Sequence, residues 1–229
     1  MPLTVEGPNN SEFQWVVVVD EDRTDLDLRS DLAAALESLD GGATQLWIKS
    51  IDASADAIAL DAGFTQYRDL WQLRCPLPNT STDMITRAFT SDDLDEYIAV
   101  NNRAFSWHPE QGGLTRELVE ATMAEPWFDA DGFRLYHDDD SLVGFCWTKI
   151  HRDHDPALGE IYVIAIDTSH HGLGLGKPMS LAGLDWLAAQ GLTTGMLYVE
   201  SDNQPANATY ASIGFSRHHT DRAYLRAAQ

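Results

Sequence analysis

The chain has 229 residues, of which 44% are hydrophobic and 22% are charged, and its formal net charge is −21 at pH 7. This composition is typical of a globular protein with one large or two small domains. The negative charge repels nucleic acid phosphates and anionic membrane surfaces, so it argues against both as partners. It would repel a polyphosphate ligand as well, and such a ligand would have to be held by local backbone donors.

The longest apolar runs cover residues 15–19 and 161–166. Both have the length of a strand, well short of the about 20 residues that a membrane span needs. The N-terminus shows no basic segment followed by an apolar stretch, so the sequence predicts a cytoplasmic protein. Cys75 and Cys146 have no metal-ligand spacing between them and are expected to be core thiols.

The first part of the chain alternates between strands and helices. Residues 1–14 are rich in proline, asparagine, glycine and serine, which predicts a flexible lead-in. A linker is expected over residues 75–82, where two prolines and a polar run would end regular structure. Between the lead-in and the linker, periodicity and turn residues predict strand 15–19, helix 28–39, strand 45–49, helix 53–62 and strand 65–74.

The second part of the chain is predicted to be of the same mixed α/β type, which gives two domains, 1–78 and 84–229. Its predicted elements are strand 84–89, helices 92–105 and 116–124, strands 132–136, 142–151 and 160–166, helix 174–190, strand 195–200, helix 204–213 and strand 215–225.

A weak internal repeat links the two parts at one offset of 151 residues. It aligns Trp47 with Tyr198, and Gly63-Phe64 with Gly214-Phe215. The alternative is that any two helix-strand-helix-strand segments align this well. If the repeat is real, the N-terminal domain is expected to be the back half of a second copy whose front half is missing.

A glycine-rich turn follows the predicted strand 160–166 and leads into a helix. Its sequence is Thr168-Ser169-His170-His171-Gly172-Leu173-Gly174-Leu175-Gly176-Lys177. A turn of this kind presents backbone N–H groups and the positive end of the helix dipole to a pyrophosphate, and its glycines allow close approach. Structural turns use the same residues, but the flanking strand and helix favour an acyl-CoA site.

Two residues are candidates for the chemistry. Glu160 is the only charge in strand 160–166, where it is either a surface residue or a positioned base. Strict alternation would place Glu160, Tyr162, Ile164 and Ile166 on one face of that strand. Tyr210 lies on a predicted amphipathic helix, where core packing is the commoner fate of an aromatic side chain.

The order of elements resembles the GNAT superfamily of N-acetyltransferases, whose fold is a mixed central sheet flanked by helices. The family's loop motif is Gln or Arg, two residues, Gly, one residue, and Gly or Ala, and it falls on His171, Gly174 and Gly176. His171 departs from that motif. Blocks such as Gly159-Glu160-Ile161-Tyr162-Val163 resemble the mycothiol synthase family. The resemblance implies a catalytic GNAT domain preceded by a degenerate half-GNAT unit.

The resemblance also implies the reaction, which is acetyl transfer from acetyl-CoA to the cysteinyl amine of desacetyl-mycothiol, the last step of mycothiol biosynthesis. Glu160 would be the base, and Tyr210 would protonate the departing CoA thiolate. The implied substrate-binding residues are Glu110, Lys149, Glu160 and Tyr198. The implied cofactor-binding residues are Ile164, Ala165, Ile166, His171, Gly172, Leu173, Gly174, Leu175, Gly176, Lys177, Asn203, Gln204, Pro205, Ala206, Asn207 and Ala208.

Two other functions stay open: a GNAT enzyme for a different small-molecule amine, and a non-catalytic acetyl-CoA-binding module. The family usually has two full GNAT units, whereas about one and a half are expected here, which bears on the substrate. A monomer is expected. None of the eight histidines is expected to bind a metal, because the sequence is read as offering no carboxylate or cysteine at a supporting metal-ligand spacing from pairs such as His151 and His154.

Overall fold

The computed structural model of the chain describes residues 3–8, 13–107, 111–139 and 141–228. In chain order the strands and helices are β1 (Leu3–Glu6), β2 (Trp15–Val19), α1 (Asp25–Ser38), β3 (Thr44–Ile48), α2 (Ala53–Asp61), β4 (Thr65–Pro76), β5 (Arg87–Ala88), α3 (Leu94–Ala104), α4 (Arg116–Met123), β6 (Phe133–Asp138), β7 (Ser141–His151), β8 (Leu158–Ile166), α5 (Gly176–Ala189), β9 (Thr194–Glu200), α6 (Gln204–Ile213) and β10 (Ser216–Arg226). The described part contains no helix that is long and apolar enough to cross a bilayer.

The chain divides into two compact units that are discontinuous in sequence. One comprises residues 1–72, 199–203 and 217–229, and the other comprises residues 73–198 and 204–216. This division differs from the predicted domains 1–78 and 84–229, because β10 pairs antiparallel with β3 of the first unit.

In the first unit, β2 and β3 pair in parallel and α1 forms the crossover between them. The Thr24 hydroxyl caps the start of α1 by accepting a hydrogen bond from the Asp27 N–H. The predicted flexible lead-in is wrong for residues 3–6, which form β1 and pair antiparallel with β2. The backbone hydrogen bonds of β1 therefore go to a strand rather than to water. The core of this unit lies between the sheet and α1 and α2, around Leu32, Leu46 and Ile58.

In the second unit the strands lie in the order β9-β8-β7-β6-β5. The predicted strand 84–89 is wrong in extent, since only Arg87–Ala88 pair with β6. Side chains of β7 alternate between two helical layers. Phe145 packs edge-on against Tyr97 of α3 at a centroid distance of 4.8 Å. On the other face, α5 approaches so closely that a Cβ on Gly183 would lie 2.3 Å from Cys146 Sγ.

Both cysteines are core thiols, as predicted, with exposures of 3% for Cys75 and 0% for Cys146. Burial raises the pKa of Cys75 to about 11 and that of Cys146 to about 12. Because the thiolate is the reactive form, we expect native protein to show no reaction with a disulfide reagent at pH 8. In denatured protein the same reagent should react with two thiols, as measured by absorbance. A fast-reacting thiol in the native protein would contradict the packing described here.

Candidate active site

Strands β8 and β9 run parallel but separate after a short paired stretch. Pairing covers residues 159–161 of β8 and 195–197 of β9, whereas β8 stays paired with β7 up to Ile166. Among the described residues, positions 162–166 therefore have no register partner on β9. Tyr162 and Tyr198, the next residues after the paired stretch, are 38% and 39% exposed. A fork of this kind leaves backbone groups of β8 available to an extended ligand.

A β-bulge lies at the fork. Trp147 pairs with Val163 and Thr148 pairs with Ile161, so Tyr162 is an extra residue on β8. The predicted strict alternation of Glu160, Tyr162, Ile164 and Ile166 on one face is therefore interrupted. Bulges re-aim side chains and occur often beside active sites. Here the bulge places the aromatic Tyr162 two residues after Glu160, at the point where the two strands part.

Glu160 is buried, with 7% exposure, and it does not stand alone. Its Oε2 lies 2.7 Å from His151 Nε2 at the end of β7. Lys149 is its direct cross-strand neighbour in the register of β7 and β8. When Glu160 is ionised, Nε2 of His151 carries the proton and donates it to Oε2, which leaves the other carboxylate oxygen for a further partner. The carboxylate is thus buried and hydrogen-bonded rather than exposed at a sheet edge.

Aromatic side chains surround the Lys149 ammonium. Lys149 Nζ lies 4.5 Å from the centroid of the Trp127 ring and 5.6 Å from that of Tyr162. The two rings pack edge-on at 5.0 Å, and Trp147 lies behind both. Trp127, Lys149 and His151 also line a cleft of about 480 Å³. Cation–π contact holds the ammonium beside these rings, in the wall of the cleft.

The turn before α5 has the backbone geometry of an anion site. Gly172 and Gly174 have φ values of 81° and 76°, and a Cβ on either would meet open space. These glycines are needed for their backbone conformation, because other residues rarely adopt positive φ. Leu175 precedes α5 and offers no side-chain cap, and the first helical residues, Gly-Lys-Pro-Met-Ser, carry no carboxylate. The N–H groups and positive dipole end of α5 remain available to a phosphate.

The start of the turn is anchored by an ion pair. The Asp167 carboxylate accepts a hydrogen bond from the Ser169 N–H at 2.9 Å and one from Arg103 Nε at 3.0 Å. Burial alone would raise the pKa of Asp167, but these hydrogen bonds lower it to about 2. His171 Nε2 lies 2.9 Å from the carbonyl oxygen of Ile166, so this side chain folds back on the end of β8. Together these contacts order the turn without a ligand.

Tyr210 lies on α6 and is 8% exposed, with its ring 5.7 Å from that of Phe215. Burial raises its pKa well above the usual range of a tyrosine, so its hydroxyl stays protonated at neutral pH. Such a group can donate a proton but cannot act as a base near pH 7. The geometry is compatible with the predicted role of an acid as well as with packing.

Comparison with known proteins decides the family. The model of the Acetyltransferase (GNAT) family matches residues 95–215, which is more than half of the chain. The chain belongs to the GNAT family of acetyltransferases. The fork, the glycine turn and the helix that follows it all lie within or beside that matched region.

Curated GNAT relatives carry the name mycothiol acetyltransferase. The protein from Rhodococcus erythropolis is 40% identical over 97% of this chain and 77% of its own length. The one from Actinosynnema mirum is 43% identical over 85% of this chain and 68% of its own. These identities make the chain an N-acetyltransferase, and GNAT acetyltransferases use acetyl-CoA as co-substrate.

Solved structures agree on the fold. A GCN5-related N-acetyltransferase from Sphaerobacter thermophilus superposes with a TM-score of 0.73 at 17% identity, covering 98% of this chain and 75% of that one. A tandem GNAT protein from the clavulanic acid biosynthesis pathway gives a TM-score of 0.62 at 16% identity, covering 93% of this chain and 75% of that one. The mixed sheet flanked by helices that the sequence predicts is thereby confirmed.

The structure brings together some of the predicted site residues of this GNAT protein. Lys149 and Glu160 are neighbours, and Tyr198 lies at the fork. Glu110 lies outside the described residues. Asn203 follows β9 and donates its backbone N–H to the Glu200 carbonyl at 3.1 Å, but it falls in the first compact unit. Residues 204–208 form the first turns of α6, where Ala206 and Asn207 are half-buried, and Ile164, Ala165 and Ile166 are half-buried on β8.

Several site residues were missed by sequence reasoning. His151 and Trp127 contact the predicted site residues Glu160 and Lys149 only through the tertiary fold. In the same way, Arg103 reaches Asp167 at the start of the glycine turn. His151 had one available indication: it lies two positions after Lys149, hence on the same side of β7. Lys177 was assigned to the cofactor, but its ammonium donates to the Ser212 carbonyl at 3.2 Å. An ammonium has three N–H donors, so its predicted role at the cofactor stays a prediction.

A carboxylate does accompany His151 and His154, contrary to the prediction. Asp153 lies between them in sequence, and donor atoms of all three residues lie within 4.8 Å of one another. The turn between β7 and β8 thus places two imidazoles and a carboxylate together.

Proposed function

We propose that this GNAT enzyme acetylates the cysteinyl amine of desacetyl-mycothiol, with acetyl-CoA as the donor, to form mycothiol. The observation that carries the proposal is the buried Glu160 carboxylate beside Lys149 and two aromatic rings, at the fork between β8 and β9. A positioned base next to an aromatic cleft suits an amine attached to a sugar. The name of the curated relatives supports this substrate.

Acetyl-CoA fits the fork and the glycine turn. Its pyrophosphate would bind the N–H groups of residues 172–177, where no side chain fills the space next to Gly172 and Gly174. Its pantetheine arm would pair with the backbone of Ile164, Ala165 and Ile166, on the β8 edge that has no partner on β9. This arrangement directs the thioester along β8 towards Glu160. The local backbone donors offset the repulsion expected from a net charge of −21.

The proposed reaction is a direct transfer. An α-amine has a pKa near 8, so a moderate base is enough to produce the neutral nucleophile at pH 7. Glu160 takes the ammonium proton, the amine nitrogen forms a bond to the acetyl carbon, and the carbon–sulfur bond breaks as the nitrogen loses its second proton to solvent. Tyr210 gives its proton to the departing thiolate and is reprotonated from solvent. His151 holds one oxygen of Glu160, which fixes the direction in which the other oxygen faces.

The substrate sugar would lie against the aromatic wall. Trp127 and Tyr162 offer flat apolar faces, and Lys149 offers N–H donors to hydroxyl groups. Tyr198, half-exposed on β9, offers a further hydrogen-bonding group. These residues are proposed to select a polyhydroxylated amine over a simple alkyl amine.

The first unit is proposed to be a degenerate half-GNAT unit. Its chain order β2-α1-β3-α2-β4 is the same as β8-α5-β9-α6-β10. Where the second unit has the glycine turn, the first has Asp20 to Asp25. There Asp20 pairs with Lys49 at 2.7 Å, and Arg23 donates to the Lys49 carbonyl at 2.7 Å. Side chains close this turn, and its carboxylates would repel a phosphate.

A substrate panel tests the function. Purified protein is incubated with acetyl-CoA and one of three amines: desacetyl-mycothiol, glucosamine-inositol without the cysteine, or a simple alkyl amine. Of the three amines, we expect only desacetyl-mycothiol to give CoA release. The rate of this release should be at least 10-fold lower for Tyr210→Phe, which removes the proton donor but keeps the ring.

The other functions are outcomes of the same panel. If CoA is released faster with another amine of the panel, that amine takes the place of desacetyl-mycothiol as the proposed substrate. Acetyl-CoA binding in calorimetry without release from any amine would favour a non-catalytic binding module.

A further inference from the structure

We propose that His151, Asp153 and His154 bind a divalent transition metal, with Zn²⁺ as the best-suited ion, at the edge of the active site. Two imidazoles and one carboxylate are a common zinc ligand set, and a fourth position can be taken by water. The donor atoms lie within 4.8 Å of one another. Donors around tetrahedral zinc are roughly 3.4 Å apart, so small rotations of the exposed Asp153 and His154 side chains would close the site.

A second observation points to a ligand here. His151 Nε2 lies 2.7 Å from Glu160 Oε2, so the ring proton is on Nε2 when Glu160 is ionised. Nδ1 is then unprotonated and free to coordinate. A carboxylate on the far nitrogen is the usual partner of a metal-bound histidine, because it fixes the tautomer and the orientation of the ring. The His151 and His154 ring centroids are 6.0 Å apart, which suits two imidazoles that share one ion.

The site would act on catalysis, and this part rests on the proposed function. His151 and Asp153 line the same cleft as Lys149, so an ion bound there takes up part of the space proposed for the substrate. Zinc binding is therefore expected to inhibit acetyl transfer. His154 and Asp153 are exposed in the turn, so the ion can reach the site from solvent.

Binding is measured first, without substrate, because the substrate thiol would itself bind zinc. Tag-free protein is titrated with ZnCl₂ by calorimetry and with CoCl₂ by visible absorption, with MgCl₂ as a negative control. We expect one equivalent to bind, and at least a 10-fold weaker affinity in His154→Ala and in Asp153→Asn. His218→Ala, an exposed histidine in the other unit, should bind like the parent chain. Absence of one-to-one binding, or equal affinity in all variants, would overturn the site.

Activity is then measured with the substrate thiol blocked as a thioether. Saturating zinc should lower the rate of acetyl transfer, measured below the KM for the amine, at least 10-fold in the parent chain and leave His154→Ala unaffected. Loss of zinc binding with intact acetylation would sink only the metal site. One-to-one zinc binding in a protein that acetylates no desacetyl-mycothiol would sink the proposed substrate and leave the site standing. Binding without inhibition would overturn the link to catalysis.

Discussion

Replacing Glu160 by glutamine is expected to lower kcat for acetyl transfer about 100-fold at pH 7, with little change in the KM for acetyl-CoA. A general base typically contributes 10²- to 10⁴-fold, and the substrate amine is already partly neutral at this pH, which favours the lower end. A 100-fold loss corresponds to about 2.7 kcal/mol of transition-state stabilisation. Glutamine has the same shape and can still accept the hydrogen bond from His151 at one oxygen.

The pH dependence makes this test specific. In Glu160→Gln the rate should rise with pH up to about 8, because the neutral fraction of the amine then replaces the missing base. The difference between the variant and the parent chain should shrink over that interval. Glu120→Gln removes an equal charge from the exposed face of α4 and serves as the matched control. Equal rate losses in both variants, or a loss that does not depend on pH, would exclude Glu160 as the base.

Replacing Gly174 by aspartate is expected to weaken acetyl-CoA binding at least 100-fold. The new carboxylate would lie in the turn that is proposed to hold the pyrophosphate. Two unit charges about 5 Å apart repel by about 3 kcal/mol at an effective dielectric constant of 20. The φ of 76° at this position adds backbone strain of about 1 kcal/mol for any residue with a Cβ. Calorimetric titration with acetyl-CoA measures the change.

The same helix provides a control for strain. Gly191 follows the C-terminus of α5, has a φ of 83°, and would also place a Cβ in open space. Gly191→Asp therefore carries the same charge and similar strain at the end of α5 away from the proposed phosphate site. We expect a comparable fall in melting temperature but unchanged acetyl-CoA affinity. Gly174→Asn keeps the strain without the charge, so its acetyl-CoA affinity should lie between those of the two aspartate variants. Equal affinity losses in both aspartate variants would show that the turn does not hold the phosphate.

Sequence patterns located nearly every helix and strand to within a few residues. Helix α6 was predicted with the bounds that the structure shows, because an amphipathic pattern is bracketed by a turn and a glycine. The misses have local causes. Leu3–Glu6 lies in a segment rich in turn residues, and its strand conformation depends on pairing with β2. The predicted strand 84–89 has β-favouring residues, but pairs over two positions only.

Some features of the candidate site could likewise be predicted from sequence, and others could not. Glu160, Lys149 and the glycine turn could be selected from sequence, since each stands out by charge or by backbone requirement within its own segment. The bulge at Tyr162 could not, because it is a mismatch between two strands and exists only in their register. The same holds for the His151 partner of Glu160 and for the anchoring of Asp167 by Arg103, which lies 64 positions earlier.

The sequence by itself determined the α/β order of elements, the turn with its positive-φ glycines and the resemblance to the GNAT family. These follow from periodicity, from glycine's lack of a Cβ and from short motifs, all of which are local. Only the tertiary structure decided which groups face Glu160, where β8 and β9 part and which three donors meet in the turn after β7. Those features depend on the register of neighbouring strands and on the conformation of the turn that joins β7 and β8, which local preferences do not specify.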